Sequence, residues 1–328
     1  MLGFPDSPPD ADAMNLSVVV PVYRSADCLP ALVERVRDTL GAHSAAFELI
    51  LVNDASPDAS WQVISALSDQ HPFVVGLNLR KNVGQDNAIM AGLHYATGEV
   101  VIIMDDDLQH DPADIPRLAA ALAGGADVAY AMFDEKHQAW WKNVGSWFNG
   151  QVAVVVLGKP PEVYISPYKA IRQDVVREIV RYDGPFTYVD GIIFIITSNI
   201  IQVPATHHTR FAGSSNYDLI RSVRVWLKLA TGFSVIPLRI AAFMGGAIAL
   251  LSFFMAAYFM IQALLLEKIP EGYPSLIVSV YFLGGIQLVA LGAMGEYVGR
   301  IFLTQNRTPQ FTIKDVRRCP PRGEAPPT

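Results

Sequence analysis

Val100-Val101-Ile102-Ile103-Met104-Asp105-Asp106-Asp107-Leu108-Gln109 decides how this chain is read, because an unbroken apolar run closes in three carboxylates. The run suits a strand buried on both faces, and Asp111-Pro112 just after it reads as a helix N-cap with proline at the first helical position. A strand, turn and helix in this order deliver acidic side chains to the carboxyl edge of a sheet, where α/β folds bind ligands. Asp105 and Asp107 are two residues apart and project to the same side. Two hard oxygen donors so placed suit Mg2+ or Mn2+, with substrate phosphates and water completing the coordination. The expected cargo is a nucleoside diphosphate. An isolated Asp-x-Asp reads as a solvated acidic loop; the strand before this one and the helix after it favour a binding site.

Working outward, Leu16 to Val22 is a second continuous apolar run, ending in Pro21-Val22-Tyr23. Leu29 to Leu40 places Leu29, Leu32, Val33, Val36 and Leu40 on one helical face. Glu48 to Asn53 predicts a strand, Trp61 to Leu67 a helix, Val74 to Asn78 a strand, and Asn87 to Ala96 a helix ending at Gly98. Beyond Leu122, strands are predicted over Asp127 to Met132, Tyr164 to Ile171 and Asn199 to His208, with a helix over Thr187 to Thr197. This alternation predicts an α/β fold, a mostly parallel Rossmann-like sheet with helices on both faces. Tyr23, Asp54, Lys81-Asn82 and Asp105 fall at strand carboxyl ends. His207-His208 is a weak metal candidate, since adjacent strand residues face opposite ways.

The 328 residues are 51% hydrophobic, and mean hydropathy is +0.28, with the apolar excess concentrated beyond Ile236. A cytosolic domain joined to a membrane domain is expected. A net charge of -6 argues against nucleic acid as a partner. Cys28 and Cys319 form neither a disulfide framework nor a zinc site, which fits a reducing compartment. Residues 1–14 read as a disordered tail without the basic and apolar regions of a signal peptide. Ala241 to Leu266 and Tyr273 to Gly295 are each long and uncharged enough to span a bilayer, joined by the short Glu267 to Gly272 turn. They predict a two-helix transmembrane hairpin within residues 236–303. Arg221, Arg224, Lys228 and Arg239 precede it and Arg300, Arg307, Lys314, Arg317 and Arg318 follow, so both ends are expected on the cytoplasmic side. Trp140 to Val156 and Tyr217 to Ala230 are candidate interfacial helices contacting membrane lipids, the latter within a 216–235 segment. In residues 304–328, Gln310 to Val316 predicts a short strand before a Pro-rich disordered tail. As an unpaired edge it is expected to add to a second copy of the chain, giving a homo-oligomer.

Five blocks, Val20-Pro21-Val22-Tyr23, Val52-Asn53-Asp54-Ala55-Ser56, Asn82-Val83-Gly84-Gln85, Ala96-Thr97-Gly98-Glu99 and Asp105-Asp106-Asp107-Leu108-Gln109, together resemble a family 2 glycosyltransferase of GT-A fold over residues 15–215. The Asp-x-Asp-Leu-Gln form is similar to the polyprenyl-phosphate glycosyltransferases, including dolichol-phosphate mannose synthases and bacterial undecaprenyl-phosphate sugar transferases. That likeness runs from Leu16 to about Val316. The resemblance implies a nucleotide-sugar donor, a polyprenyl phosphate acceptor, tetramers that exchange the C-terminal strand, and a set of roles. Asp107 and Gln109 would hold the metal, and Asp105 the metal or the ribose. Pro21, Tyr23, Asp54, Lys81 and Asp106 would meet the nucleotide. Arg210, in Arg210-Phe211-Ala212-Gly213-Ser214-Ser215-Asn216-Tyr217, would clamp the diphosphate. Lys169, Arg172 and Ser215 would serve the acceptor phosphate. Two departures stand out: Asn216 replaces the family's usual lysine, and Arg24-Ser25 replaces the acidic residue that often follows the tyrosine.

A hydroxyl acceptor needs a carboxylate base, whereas a phosphate monoester is already anionic at neutral pH. Asp190 is the base candidate outside the acidic block, weighed against a plain helix-start carboxylate. The competing readings are a hydroxyl acceptor, as in polysaccharide synthases, and a non-catalytic membrane scaffold of a sugar-transfer complex.

Overall fold

The computed structural model describes residues 14–43, 46–133, 163–184, 187–206, 272–306 and 309–319, with scattered positions between 243 and 261. The chain divides into one unit of Met1–Asn216 with Pro309–Thr328 and another of Tyr217–Thr308. The expectations for the two tails, for both interfacial helices, and for His207-His208, Arg210, Ser215 and Asn216 lie outside the described residues.

In the first unit the elements run β1 (Asn15–Val22), α1 (Leu29–His43), β2 (Ala46–Asn53), α2 (Ser60–Gln70), β3 (Val74–Leu79), α3 (Gln85–Leu93), β4 (Val100–Ile103), α4 (Ile115–Ala123) and β5 (Val128–Phe133). After residue 163 come β6 (Lys169–Arg172), α5 (Gln173–Ile179), α6 (Val189–Ile196) and β7 (Ile200–Ala205). The sheet order is β7-β5-β6-β4-β1-β2-β3-β8, where β8 is Ile313–Arg318. β1, β2, β3 and β4 are mutually parallel, as are β5 and β7, while β6 and β8 run antiparallel to their neighbours. The sheet is therefore mixed at its flanks and parallel at its centre.

The centre is parallel because its strands are apolar on both faces. Val18, Val20, Leu49, Leu51 and Ile102 join the core cluster with Leu32 and Val36 of α1 and Leu118 of α4. On the opposite face Val19, Ile50 and Ile103 are equally buried. There α3 lies so close that a Cβ on Gly92 would fall 2.3 Å from Val19 Cγ1, so only glycine lets this helix seat. Burying each such Val, Leu or Ile contributes about 1.5–3 kcal/mol. From β1 the chain adds β2 and β3 on one side and then returns to place β4 on the other. That reversal makes the gap between the carboxyl ends of β1 and β4 a topological switch point.

Three expectations change. Tyr164 to Ile171 contributes strand only at Lys169–Arg172, since Pro167 has no N–H for a ladder. α5 follows β6 at once and was not foreseen. The C-terminal strand is no unpaired edge: β8 pairs with β3, Leu77 opposite Val316, and Arg80 N–H donates to the Thr312 carbonyl at 2.9 Å. A polar ladder reinforces it. Asn53 Nδ2 donates to Asn78 Oδ1 at 2.8 Å, and Asn78 Nδ2 donates to Asp315 Oδ2 at 3.1 Å. Gln310 Nε2 also donates to the carbonyls of Tyr182 and Gly184 at 2.6 and 2.9 Å.

In the second unit α7 (Tyr273–Gln305) is 33 residues long, extending ten residues past the predicted Gly295. Its segment Phe282–Gln305 is the one helix among the described residues long and apolar enough to cross a membrane. Leu276, Phe282, Leu288, Val289, Leu291, Val298 and Ile301 are all at least 60% exposed, so the apolar surface is not packed into a protein core. An apolar, unpacked helix of this length suits lipid. The first arm of the predicted hairpin is described only at scattered helical positions, among them Phe243, Leu250, Phe254, Tyr258 and Ile261.

Candidate active site

Backbone conformation marks the switch point before any side chain does. Among the described residues the non-glycine positions with left-handed φ are Arg24 (59°), Ala55 (48°) and Leu108 (61°), in the loops that follow β1, β2 and β4. Residues rarely adopt this region without surrounding contacts that hold them, and such strain gathers at binding sites. The contacts are present. Arg24 N–H donates to Ser56 Oγ at 2.8 Å, Ser56 N–H to Asn53 Oδ1 at 3.3 Å and Ser25 N–H to Ser60 Oγ at 3.3 Å. Leu108 is pinned by its side chain, which is buried in the core.

The acidic loop closes across the switch point. Tyr23 N–H donates to Asp106 Oδ2 at 3.2 Å, joining the ends of β1 and β4. Asp105 Oδ1 accepts from Gln85 Nε2 at 2.7 Å, and Asp107 Oδ1 accepts from Gln109 N–H at 3.1 Å. The Asp105 carboxyl is pushed up to about 6, first by burial and then by Asp107 and Asp106, against the pull of Lys169 and the Gln85 hydrogen bond. Asp106 is also raised, mainly by burial. A divalent ion bound beside these carboxylates would relieve their mutual repulsion. Among the described residues no three His, Cys, Asp or Glu side chains form a closed metal cluster. Two carboxylates are the donor type that Mg2+ and Mn2+ take, with phosphate oxygens and water completing the shell.

The other candidate nucleotide residues separate. Tyr23 is 44% exposed, with the Arg24 guanidinium 5.4 Å from its ring centre, so it offers a face for a base or ribose. Pro21 is buried within β1 opposite Val52, and Lys81 is exposed just beyond β3. Asp54 is 4% exposed. Its two oxygens accept from Val83 N–H at 2.7 Å and Gly84 N–H at 2.9 Å, so it holds the loop that presents Gln85.

The candidate acceptor residues change more. Because β6 runs antiparallel to β4, Lys169 lies opposite Ile103, near the acidic loop, while Arg172 lies opposite Val100 at the far edge. Arg172 there bonds Asp174 at the surface, so the site excludes it. Lys169 is 2% exposed and its ammonium is paired directly with Asp190. Tyr130 Oη donates to the same Asp190 oxygen at 2.7 Å, and the Lys169 ammonium stands 5.2 Å from the Tyr130 ring centre. Lys169 thus serves Asp190 as a buried counter-ion. Asp190 does sit in the first turn of α6, but its carboxylate is committed to Lys169 and Tyr130.

Sequence reasoning passed over Asp86, in the first turn of α3, which accepts from Val189 N–H at 3.1 Å. Burial is the first cause that pushes its carboxyl up to about 6, Asp190 adds to the rise, and the Val189 hydrogen bond and Lys169 oppose it. The folded pKa lies above the ordinary aspartate value of 3.8, so the stability Asp86 contributes is complete below about pH 4 and lost as pH rises through about 6. Asp86→Asn imitates the protonated form and keeps an acceptor for Val189. It is expected to stabilise the protein by about 2 kcal/mol at pH 7.5 and by nothing at pH 4. Urea unfolding of both proteins at the two pH values checks this, and an equal difference at both would refute it.

Comparison with known proteins agrees with this geometry. The family described as "Glycosyl transferase family 2" matches residues 17–180. The chain is 30% identical over 307 residues to the "Prophage bactoprenol glucosyl transferase homolog" of Escherichia coli (strain K12), covering 93% of this chain and 100% of that one. It is 31% identical over 307 residues, with the same coverage, to the "Bactoprenol glucosyl transferase" of Shigella phage SfV. Among solved structures, glucosyl-3-phosphoglycerate synthase from Mycobacterium tuberculosis with Mn2+, uridine diphosphate and glucosyl-3-phosphoglycerate superposes with a TM-score of 0.50 at 15% identity. That superposition covers 66% of this chain and 78% of that one, a likeness of fold. By a match over half its length and by relatives aligned along nearly all of it, the chain belongs to glycosyl transferase family 2.

Proposed function

We propose that this chain moves a sugar from a nucleoside diphosphate sugar to a polyprenyl phosphate at the cytoplasmic face of a membrane, with inversion at the anomeric carbon. The observation that carries the reading is the acidic loop at the β1/β4 switch point, in a chain that also carries an apolar helix fit for a bilayer. Relatives named for bactoprenol glucosyl transfer support the same acceptor class. The acceptor phosphate oxygen forms a bond to the anomeric carbon as the bond from that carbon to the diphosphate oxygen breaks. Asp105, Asp107 and Gln109 would hold Mg2+ or Mn2+, which supplies neutralisation of the charge left on the diphosphate. Tyr23, Pro21, Lys81 and Asp106 would border the nucleotide, with Arg210 clamping the diphosphate and Ser215 near the acceptor. An acceptor already anionic needs no base, and the engagement of Asp190 with Lys169 and Tyr130 favours this over a hydroxyl acceptor.

The proposed membrane part is a hairpin of two helices with both termini cytoplasmic, supported by the positive flanks of residues 236–303. The domain boundaries set out from the sequence belong to the same proposal. A homo-oligomer held through β8 would have to exchange that strand between copies, since it is paired in its own sheet. The deciding test incubates purified protein with Mg2+, undecaprenyl phosphate and UDP-, GDP- and TDP-sugars. A lipid-linked sugar with one donor is expected; none across a broad panel would overturn the proposal.

A further inference from the structure

We infer that His110 is a positioning residue that completes the β4 ladder where the candidate metal carboxylates begin, and so sets the aim of Asp105 and Asp107. The inference rests on the reading of that loop as a metal and diphosphate site. Met104 N–H donates to the Val19 carbonyl at 3.2 Å, which continues the pairing of β4 with β1. Successive N–H groups along a strand point to opposite sides, so the next donor, on Asp105, faces β6. The β6 ladder ends at Lys169 opposite Ile103, and beyond it Asp105 has no strand to donate to. His110 Nδ1 takes this N–H at 3.1 Å. An imidazole five residues ahead thus stands where a strand carbonyl would be.

The ring is fixed for the task. His110 is 3% exposed and lies between Tyr168 and Phe133, with ring centres 5.0 and 5.7 Å away and planes tilted by 16° and 4°. Tyr168 is itself tied down by donating from Oη to the Asp111 carbonyl at 3.0 Å. Between Asp105 and His110 the loop must turn through left-handed Leu108 at φ 61°, a conformation leucine does not keep unaided. The buried Leu108 side chain, the Gln109 N–H to Asp107 Oδ1 bond that spans it, and the Asp105 to His110 hydrogen bond that closes the loop all hold it. Because Nδ1 accepts, the ring proton of the neutral tautomer sits on Nε2. Phenylalanine keeps the stack and loses the acceptor, whereas asparagine can place its amide oxygen near the Nδ1 position.

The test reads Mn2+ binding rather than turnover. With purified full-length protein and saturating UDP, or whichever of GDP and TDP binds, the Mn2+ dissociation constant is measured by calorimetry beside a thermal melt. His110→Phe is expected to weaken Mn2+ by about 10- to 100-fold, the usual effect of removing a partner that orients a metal ligand, with His110→Asn recovering most of the loss. Wild-type Mn2+ affinity in a folded His110→Phe protein, or no recovery in a folded His110→Asn protein, would overturn the inference. Where His110→Phe does not fold, the unaltered protein decides. With selective 15N labelling, a through-hydrogen-bond coupling between Asp105 N and His110 Nδ1 is expected, and its absence refutes the bond. Failure of the wild type to bind Mn2+ with any of the three nucleotides would instead strike at the site reading itself.

Discussion

Asp107→Ala is expected to lower sugar transfer by about a thousandfold, the scale lost when one preorganised group opposite developing charge is removed. Asp107 sits on the carboxyl edge of the switch point, its Oδ1 held by Gln109 N–H, so its side chain is set before substrate arrives. Asp105→Ala should be nearly as severe, with one difference. Asp105 also accepts from Gln85 and crowds Asp106 and Asp107, so its loss relaxes repulsion while it removes a ligand. Steady-state rates across an Mg2+ and Mn2+ titration check both variants. Full activity of both at high Mn2+ would remove the metal from this loop.

Lys169→Met should have the largest effect on stability, about 3–5 kcal/mol, because it leaves a buried carboxylate without its cation. Asp190 would keep only the Tyr130 hydroxyl, and Asp86 and Asp105 would lose the positive charge that holds their proton affinities down. Adding Asp190→Asn to Lys169→Met should recover most of the loss, since the amide still accepts from Tyr130 and no charge is stranded. Chemical denaturation of the single and double variants measures this. Equal destabilisation in the two would mean that packing, not charge, accounts for Lys169. The pair also refines the question of a base: activity lost in Asp190→Asn but regained in the double variant reflects the ion pair, whereas activity lost in both points to proton transfer.

Much of the site was legible because it is written in adjacent residues. The acidic block was legible as the close of an apolar run, although β4 ends at Ile103 and strand alternation does not reach Asp105 and Asp107, and Asp111 caps the next turn by accepting from Ala113 N–H at 3.0 Å, as its place before Pro112 predicts. The contacts passed over act across the fold. Gln85 bonds Asp105 over twenty residues, Asp86 bonds Val189 over 103, and Lys169 meets Asp190 over 21. His110 stood beside the acidic block and was still missed, since a histidine after a loop carries no sign of the strand it will replace.

By itself the sequence determined the central parallel strands, the order of elements around β1 to β4, and the acidic loop, because hydrophobic period and turn chemistry are local properties. It also determined that an apolar segment lies beyond Tyr273, since length and lack of charge are read from composition. Only the tertiary structure decided the rest. The direction of β6 put Lys169 at the site and Arg172 at the opposite edge, for a strand's direction relative to its neighbour does not show in its own residues. The same holds for β8. Phe311 and Ile313 mark an edge strand, but the edge it covers was decided by the Asn53, Asn78 and Asp315 ladder, whose bonded partners lie up to 237 residues apart in sequence and meet only once β2 and β3 are side by side.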